Sequence, residues 1–411
     1  MKKKYQTISF IQPSRNNLKY LKWSYNSIRK NLGYTHEICM ADDFSDDGTW
    51  EWMKEISEKD VNVKIHRNEG PTRLGHTILY DTLINDYATN DVVMIYHADM
   101  YACPRFDEEV LRHIEPGVVV SGTRIEPPLH PDGPEKILRD FGIEPEEFDE
   151  HGLIEFLNTE VMNEYGTGIT TEGIFAPWAI LKSDWDYIGG HDPIFAPQSK
   201  EDSDIFNRFH LAGFKFKQTW GGFVYHMTCR GSRFKDGAMR NPAGQVFMNG
   251  RESDEWLIQN KKSTREFIRK WGHFVKHDSM MKPIVPPKYD IGMVAYNCTK
   301  ELLSELEPWC SKIYLDLKDS DCISYYKNDE QPKTSTDLDE KIKLYGNSKI
   351  SELHDICIEF DCNKLNATNF QHIVNLSEIL QDSGEIGEME LDIFKLYISK
   401  LDTHEKELIQ L

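Results

Sequence analysis

The sequence has no apolar run that approaches the ~20 residues of a membrane-spanning helix. It also lacks a signal peptide, because the apolar run Ile8–Ile11 is short and leads directly into polar sequence. We therefore expect a cytoplasmic protein without a membrane span. No two of the eight cysteines have Cys-x-x-Cys spacing, which favours reduced, buried thiols over disulfides or a zinc site.

Blocks of five or six basic residues are absent too, and the formal net charge is −20 over 411 residues. An acidic chain is repelled by nucleic acid and by anionic membrane surfaces. The composition therefore disfavours a nucleic acid partner, although it leaves one open. Hydrophobic residues make up 39% of the chain, enough for a sizeable core in two or three domains.

Strands and helices alternate in the first hundred residues. The β-rich runs Thr7–Ile11, Glu37–Ala41, Val61–His66 and Val92–Tyr96 are separated by segments with helical spacing of apolar residues. This alternation predicts an α/β fold with a doubly wound, mainly parallel sheet. Ligands of such sheets bind beyond the carboxyl ends of the strands, so the loops that follow these four runs are candidate binding loops.

Two changes of composition suggest the domain organisation. The proline-rich and acidic segment 124–165 is interpreted as an insertion or lid, and the proline-rich stretch 283–288 as a linker. We therefore expect a first domain over residues 1–282 and a small α/β domain over residues 289–411. The second has an acidic composition, since residues 290–411 contain 25 Asp and Glu, 12 Lys and no Arg. It is expected to lack catalytic residues, and its role stays open.

Two polar segments directly follow predicted strands. In Asp42–Thr49, four acidic residues surround a serine. Such residues can cap a helix, but an acid at the end of a strand can also accept hydrogen bonds from a nucleotide base and a ribose. In the second segment, Asp99 and His97 follow the apolar strand. Asp99 is suited to a hard divalent cation, which prefers carboxylate ligands.

Two further segments contain residues with possible chemical roles. Glu201 and Asp202 open an apolar helical pattern. Ser199 and Asp202 have the spacing of a capping box, yet a carboxylate at a helix amino terminus is also kept ionised, as a general base requires. His226 ends a strand and precedes a basic loop. Its alternatives are a core histidine, a metal ligand or a phosphate contact.

Taken in order, these segments resemble the family 2 glycosyltransferases of the GT-A fold, over roughly residues 5–230. Ile11–Asn16 is similar to the family's first strand and loop, and Asp42–Thr49 to its acidic nucleotide-binding motif. Arg67–Arg73 resembles a further family segment. Gly189–Asp192 followed by Glu201–Arg208 resembles the Gly-Gly-Phe-Asp and Glu-Asp-x-Asp signature, and that ordered spacing is the most specific part of the resemblance.

The resemblance implies an inverting transfer of a sugar from a nucleotide-diphosphate sugar, most often a UDP-sugar, to a hydroxyl of a carbohydrate or another acceptor. It implies Mn²⁺ or Mg²⁺ bound by Asp99 and His226, with Asp202 as general base and Glu201 orienting the acceptor. The residues implied at the nucleotide sugar are Pro13, Ser14, Arg15, Asp42, Asp43, Arg73, His97, Asp99, Arg230 and Arg233. Those implied at the acceptor are Trp185, Gly189, Gly190 and Glu201.

One departure and two alternatives accompany this interpretation. The chain has His97-Ala98-Asp99 where the family usually has Asp-x-Asp, which leaves the nucleotide preference open. An inactive module that binds a sugar nucleotide or a glycan is one alternative. A nucleotidyltransferase is disfavoured, because the loop Gln12–Arg15 lacks the glycines that cradle a triphosphate. The carboxyl-terminal domain could bind the acceptor, a partner or a second copy of the chain.

Overall fold

The computed structural model describes residues 5–161, 170–171, 175–231, 233–234, 236–248, 250, 252–316, 320–346 and 353–411. These residues form two principal sheets, one in each half of the chain. No helix among them is both long enough and apolar enough to cross a membrane.

The larger sheet has ten strands among the described residues, in the order β3-β2-β1-β4-β9-β6-β10-β5, with β7 paired to β6 and β8 to β10. The strands are β1 (Ser9–Ser14), β2 (Glu37–Asp43), β3 (Val63–Asn68), β4 (Val92–Ile95), β5 (Met100–Ala102), β6 (Val118–Glu126), β7 (Lys136–Leu138), β8 (Thr170–Thr171), β9 (Trp178–Leu181) and β10 (Lys215–His226). The helices of this half are α1 (Leu18–Asn31), α2 (Thr49–Lys59), α3 (Gly75–Thr82), α4 (Phe106–His113), α5 (Glu150–Thr159), α6 (Lys182–Ile188), α7 (Glu201–Leu211) and α8 (Asp254–Trp271). A small hairpin, β11 (Ala238–Arg240) and β12 (Val246–Met248), precedes α8.

The first four strands are parallel, as the alternating pattern predicts. Their register places Ser14 beside Asp42 and Asp43 beside Asn68, so their carboxyl ends lie at one edge of the sheet. Strand β2 is buried along its whole length, which matches the apolar run from Ile38 to Ala41. The expected α/β fold, with a large, mostly parallel sheet and an additional smaller sheet, is confirmed.

The segment 124–165 is tied to the sheet over much of its length. Its first three residues complete β6, and β7 continues the sheet in parallel to β6. Helix α5 buries Leu153, Phe156 and Leu157 in a cluster that also contains Tyr101 and Tyr225 of the sheet strands. Residues 162–165 lie outside the described part of the chain. The described portion therefore packs as part of the first half, and its prolines stand in the connections between strands.

The carboxyl-terminal sheet has the order β15-β14-β13-β16-β18-β17. Its strands are β13 (Ile291–Tyr296), β14 (Lys312–Leu315), β15 (Ile342–Leu344), β16 (Ile356–Asp361), β17 (Gly387–Leu391) and β18 (Phe394–Ile398), and its helices are α9 (Lys300–Leu306), α10 (Ser320–Glu330), α11 (Leu338–Lys341), α12 (Ala367–Val374) and α13 (Leu376–Ser383). Strands β17 and β18 form an antiparallel hairpin, in which the chain turns at Asp392 with a φ of 51°.

Helix α8 connects the two halves through buried ion pairs. Arg269 Nη2 lies 2.7 Å from Glu307 Oε2 and 2.9 Å from Glu330 Oε1. Arg265 contacts the same two carboxylates, at 3.1 Å and 2.9 Å. Since residues 290–411 contain no arginine, the guanidinium partners of these buried acids come from the first half of the chain. The domain boundary at 283–288 stays a prediction.

We predict that Glu307→Ala lowers the free energy of unfolding by about 3–5 kcal/mol, because it leaves Arg265, Arg269 and Lys341 with an uncompensated buried charge. Urea unfolding followed by circular dichroism measures this change. Glu301→Ala, at an exposed position of α9, is the control and should change stability by less than about 0.5 kcal/mol. Equal effects of the two substitutions would contradict the structural role of the buried cluster.

Candidate active site

A cavity of about 1020 Å³ opens at the carboxyl edge of the parallel strands. This position agrees with the general rule for open α/β sheets, and the volume suits a ligand of the size of a sugar nucleotide. Most of the sequence-predicted site residues line it: Pro13, Ser14, Arg15, Asp43, Arg73, His97, Asp99, Glu201, Asp202, His226, Arg230 and Arg233. The topology therefore brings together segments that are up to about two hundred residues apart in the chain.

A possible metal centre lies in the wall of this cavity. The ligand atoms of His97, Asp99 and His226 all lie within 4.8 Å of one another. Strand β10 is antiparallel to β5 and pairs His226 with Met100, the residue after Asp99. His226 Nε2 is consequently 3.4 Å from Asp99 Oδ1. Two imidazoles and one carboxylate form a donor set that fits a divalent transition metal ion.

Glu126 orients His226 from behind this centre. His226 Nδ1 donates to Glu126 Oε1 at 2.8 Å, which turns Nε2 towards Asp99. Histidine ligands of metals are commonly held in this way by a carboxylate. Burial lowers the pKa of His226, but the charge of Asp99 and hydrogen bonds to Asp99 and Glu126 outweigh it and raise the pKa to about 9. A metal ion would replace the proton on Nε2.

Glu126 was not identified as a site residue from the sequence, although its spacing from Arg124 on a buried strand points to a charged pair. Glu126 and Arg124 are two residues apart on β6, so both side chains lie on the same face of the strand. Arg124 Nη1 is 3.1 Å from Glu126 Oε1. Burial raises the pKa of Glu126, but Arg124 and His226 together hold it at about 2, so the carboxylate remains ionised.

Asp202 lies in the cavity at the start of α7. The capping box expected from Ser199 is not formed, because the Ser199 hydroxyl donates to Asn260 Oδ1 at 2.8 Å instead. Nor is the carboxylate held ionised by the helix terminus, as we expected. Burial and the adjacent charge of Glu201 raise the pKa of Asp202 to about 6. A carboxylate with this pKa is a stronger base than an ordinary aspartate and is still ionised at neutral pH.

Glu201 differs from Asp202 because it has a cationic partner. His76 Nε2, on α3, lies 2.6 Å from Glu201 Oε1. Burial raises the pKa of Glu201, but the charge of His76 and the hydrogen bond outweigh this effect and lower it. The adjacent carboxylates thus have opposite pKa shifts, which is typical of acid and base pairs at active sites. His76 was missed by the sequence interpretation because its pairing partner is 125 residues away.

The two acids at the end of β2 have different surroundings. Asp43 lines the cavity and accepts hydrogen bonds from the backbone N–H groups of Leu74 and Gly75, at 3.1 Å and 2.8 Å. Gly75 has a φ of 74°, and a Cβ there would lie 2.0 Å from the carbonyl oxygen of Pro197, so glycine is required. Asp42 is buried outside the cavity wall and accepts from the Ser45 N–H at 3.2 Å.

The arginine residues of the cavity differ in how many hydrogen bonds fix their guanidinium groups. Arg73 Nη2 donates to Gln198 Oε1 at 3.0 Å. Arg230, whose side chain is only 7% exposed, donates to the carbonyl oxygens of Ile143 and Ala238 and pairs with Glu144, so it links the surrounding loops. The guanidinium of Arg15 lines the cavity with its Nε buried and without a hydrogen-bond partner among the described residues.

Three residues expected at the acceptor do not line the cavity. Trp185 is buried in the core, with its ring centroid 6.2 Å from that of Trp178. Gly189 ends α6 in the left-handed region, with a φ of 85°. Gly190 has a φ of 77°, and a Cβ there would lie 2.4 Å from Asp81 Oδ2. Packing and backbone conformation therefore account for these residues, whereas Glu201 of the same group does line the cavity.

The fold and the cavity define an α/β domain whose polar residues gather beyond the carboxyl ends of its parallel strands. Comparison with protein families supports a more specific statement: residues 9–167 match the model of glycosyl transferase family 2. Over this segment, which is less than half of the chain, the protein is similar to family 2 glycosyl transferases. The matched range includes Asp43, Asp99 and Glu126 but ends before Asp202 and His226.

Two other comparisons, with curated proteins and with solved structures, give weaker similarities or none. No curated protein matches the chain. Among solved structures, the chain is similar to that described as the crystal structure of GalNAc-T7 with UDP, GalNAc and Mn2+, at 14% sequence identity and a TM-score of 0.45. The similarity covers 65% of this chain and 48% of the other, so this chain spans about half the length of that protein.

We predict that Glu126→Gln lowers the affinity for Mn²⁺ by about 10- to 100-fold, because His226 loses the charge that holds its ring. Titration calorimetry with Mn²⁺ alone measures the affinity without reference to turnover. Glu135→Gln is the control, since Glu135 bonds Arg124 and Lys136 of the same cluster. If both variants bind Mn²⁺ as tightly as the unmodified protein, Glu126 does not support a metal centre.

Proposed function

We propose that this protein is a metal-dependent, inverting glycosyltransferase that moves a sugar from a nucleotide-diphosphate sugar, with UDP as the preferred nucleotide, to an acceptor hydroxyl. One observation supports this proposal above all. A single cavity contains the cluster of His97, Asp99 and His226 and, beside it, the acidic pair Glu201 and Asp202. A diphosphate leaving group requires a bound metal ion, which the His97, Asp99 and His226 cluster would hold. A hydroxyl nucleophile requires a general base, which the acidic pair would supply.

The residues at the ends of β1 and β2 are proposed to hold the nucleotide. Pro13, Ser14 and Arg15 follow β1, and Asp43 with Arg73 forms the adjoining wall. Asp43 uses its carboxylate to fix the backbone at Leu74 and Gly75, so it shapes the pocket in addition to facing it. The preference for UDP derives from the family resemblance.

The metal is proposed to be Mn²⁺ or Mg²⁺, held by Asp99 and His226 with His97 as a third ligand. When bound, it supplies positive charge that stabilises the departing diphosphate. His226 keeps its orientation through Glu126. Arg233, on the loop after β10, lies in the same cavity and is available to an anionic substrate group.

Asp202 is proposed to accept the proton of the acceptor hydroxyl. In a single displacement, the acceptor oxygen forms a bond to the anomeric carbon while the bond from that carbon to the diphosphate oxygen breaks. The proton passes to the Asp202 carboxylate, and the nucleoside diphosphate leaves. Glu201, fixed by His76, is proposed to orient the acceptor.

Two other functions remain distinguishable by experiment. An inactive module would bind a sugar nucleotide or a glycan and turn nothing over. A nucleotidyltransferase would need a glycine-rich loop after β1, and that loop is Gln12–Arg15. The paired and opposite environments of Glu201 and Asp202 favour an enzyme over a binding module.

The proposal is tested by incubating the protein with UDP-, GDP- and CDP-sugars and Mn²⁺ and measuring release of the nucleoside diphosphate without acceptor. We expect slow hydrolysis of a UDP-sugar that stops in excess EDTA and returns with added Mn²⁺. Asp99→Ala should lose this activity and bind UDP more weakly. Hydrolysis that is unaffected by EDTA would contradict metal dependence, and failure to bind any nucleotide diphosphate would contradict the proposal itself.

We predict that Asp202→Asn reduces glycosyl transfer by at least ~100-fold, because a positioned general base contributes about 10²–10⁴-fold. The substitution keeps the size of the side chain, so UDP and Mn²⁺ should bind normally. Asp186→Asn, at an exposed position on α6, is the control. An Asp202→Asn variant with near-normal transfer would shift the role of base to Glu201.

The pH profile gives a second readout of the same residue. The base acts in its ionised form, so kcat/KM should fall as the pH is lowered through about 6, the pKa to which burial and Glu201 raise Asp202. An unperturbed aspartate would place that fall near pH 4. The limb near pH 6 should be absent from the residual activity of Asp202→Asn.

A further inference from the structure

The two residues before the acidic pair have an unfavourable backbone conformation. Ser199 and Lys200 have φ angles of 81° and 73°, in the left-handed region that favours glycine. Residues other than glycine lose roughly 1–2 kcal/mol each in this region. Such conformations cluster at functional sites, where the direction of a side chain matters more than the local strain. Here they set the direction of the Lys200 side chain, immediately before Glu201 and Asp202.

Lys200 lines the cavity and is bonded to a neutral group. Its Nζ donates to Asn260 Oδ1 at 3.0 Å, an oxygen that also accepts from the Ser199 hydroxyl. The adjacent carboxylate of Glu201 is already matched by His76 at 2.6 Å. Burial lowers the pKa of Lys200, the charge of Glu201 opposes this effect, and the charge of Arg233 adds to it.

Arg233 is the second cation on this side of the cavity. Its guanidinium lies 4.5 Å from the centroid of the Trp256 ring, and Nη2 is 3.3 Å from Glu252 Oε1. The Nε atom is buried and has no hydrogen-bond partner among the described residues. Lys200 and Arg233 therefore place two like charges in the wall of the same cavity, an arrangement that an anionic ligand group would stabilise.

The positions of Lys200 and Arg233 in the cavity bear on which part of the substrates they would contact. Lys200 directly precedes the proposed base, and Asn260 and Trp256, which contact Lys200 and Arg233, both belong to α8. Arg233 lies on the loop after β10, the strand that ends at His226, and reaches the same cavity. Lys200, near the proposed base, is thus placed where the transferred sugar and the acceptor would meet.

We propose that Lys200 and Arg233 bind an anionic group, a carboxylate or a phosphate, carried by one of the two sugar substrates. This inference rests on the proposed function and narrows its substrate class to acidic sugars. The anionic group belongs either to the transferred sugar or to the acceptor, since both are next to Asp202 during the reaction. Charge-assisted hydrogen bonds to these partly buried cations should then favour an acidic sugar over its neutral counterpart by about 10-fold or more.

Titration calorimetry tests the acceptor side. Glucose, glucuronate and glucose 6-phosphate are titrated into the protein saturated with Mn²⁺ and with the nucleoside diphosphate that binds best. The donor side is tested by comparing KM for hydrolysis of UDP-glucose and UDP-glucuronate. We expect the preference for the acidic compound in one of these two arms, and the arm that shows it identifies the substrate that carries the charge.

Three variants separate recognition of the anion from other effects. Lys200→Gln keeps a hydrogen-bond donor for Asn260 but removes the charge, so the preference for acidic sugars should fall to about 2-fold or less while UDP affinity is unchanged. Lys200→Gly should lose the same preference yet raise the urea midpoint, because glycine relieves the backbone strain. Lys261→Gln, at an exposed position of α8, is the control and should alter neither quantity.

Two results would overturn the inference. One is an unmodified protein that binds acidic and neutral sugars equally in both arms. The other is a Lys200→Gln variant whose affinity for UDP falls as much as its affinity for the sugar, because the cations would then serve the diphosphate. If no nucleotide diphosphate binds at all, the proposed function fails, and titration of the three sugars into the free protein still decides whether Lys200 and Arg233 recognise an anion.

Discussion

The site depends on one constraint: parallel strands end at the same edge of a sheet. Because β1, β2 and β4 are parallel neighbours or near neighbours, Arg15, Asp43 and Asp99 come to one place although the loops between them are long. Strand β10 runs in the same direction, since it is parallel to β6 and both β6 and β4 are antiparallel to β9, so His226 at its carboxyl end reaches the same edge. Without this topology, the polar segments would be separate loop features with no common chemistry.

Buried charge is the second organising element. Each acid that faces the cavity except one is bonded to a defined partner: Asp99 to His226, Glu201 to His76, and Asp43 to backbone N–H groups. Asp202 is the exception, because its strongest influences are burial and the repulsion of Glu201. The acids with bonded partners hold the structure of the site, whereas the carboxylate of Asp202 is proposed to be available for proton transfer.

The features that could be predicted from the sequence are those that depend on local patterns, namely the parallel strands and the acids that follow them. Apolar runs located the parallel strands to within a few residues, and acids after those strands identified Asp43 and Asp99 as cavity residues. Glu126 and His76 were not predicted, because each acts through a partner that is at least a hundred residues away. The capping box at Ser199 was wrong, since the hydroxyl found Asn260 on a distant helix. Tertiary contacts overrode local preference in each of these cases.

The arginine-free composition of residues 290–411 has a consequence for how the chain can be divided. The linker at 283–288 is where the composition changes, yet Glu307 and Glu330 take their guanidinium partners from α8, upstream of it. A fragment that begins at the predicted linker would keep Lys341 beside Glu307 but lose both guanidinium partners, and one that ends there would take Glu307 and Glu330 away from Arg265 and Arg269. Helix α8 is also paired with the first half, because Lys270 Nζ lies 2.7 Å from both Asp192 Oδ2 and Asp204 Oδ1, so a division of the chain on either side of this helix breaks buried ion pairs.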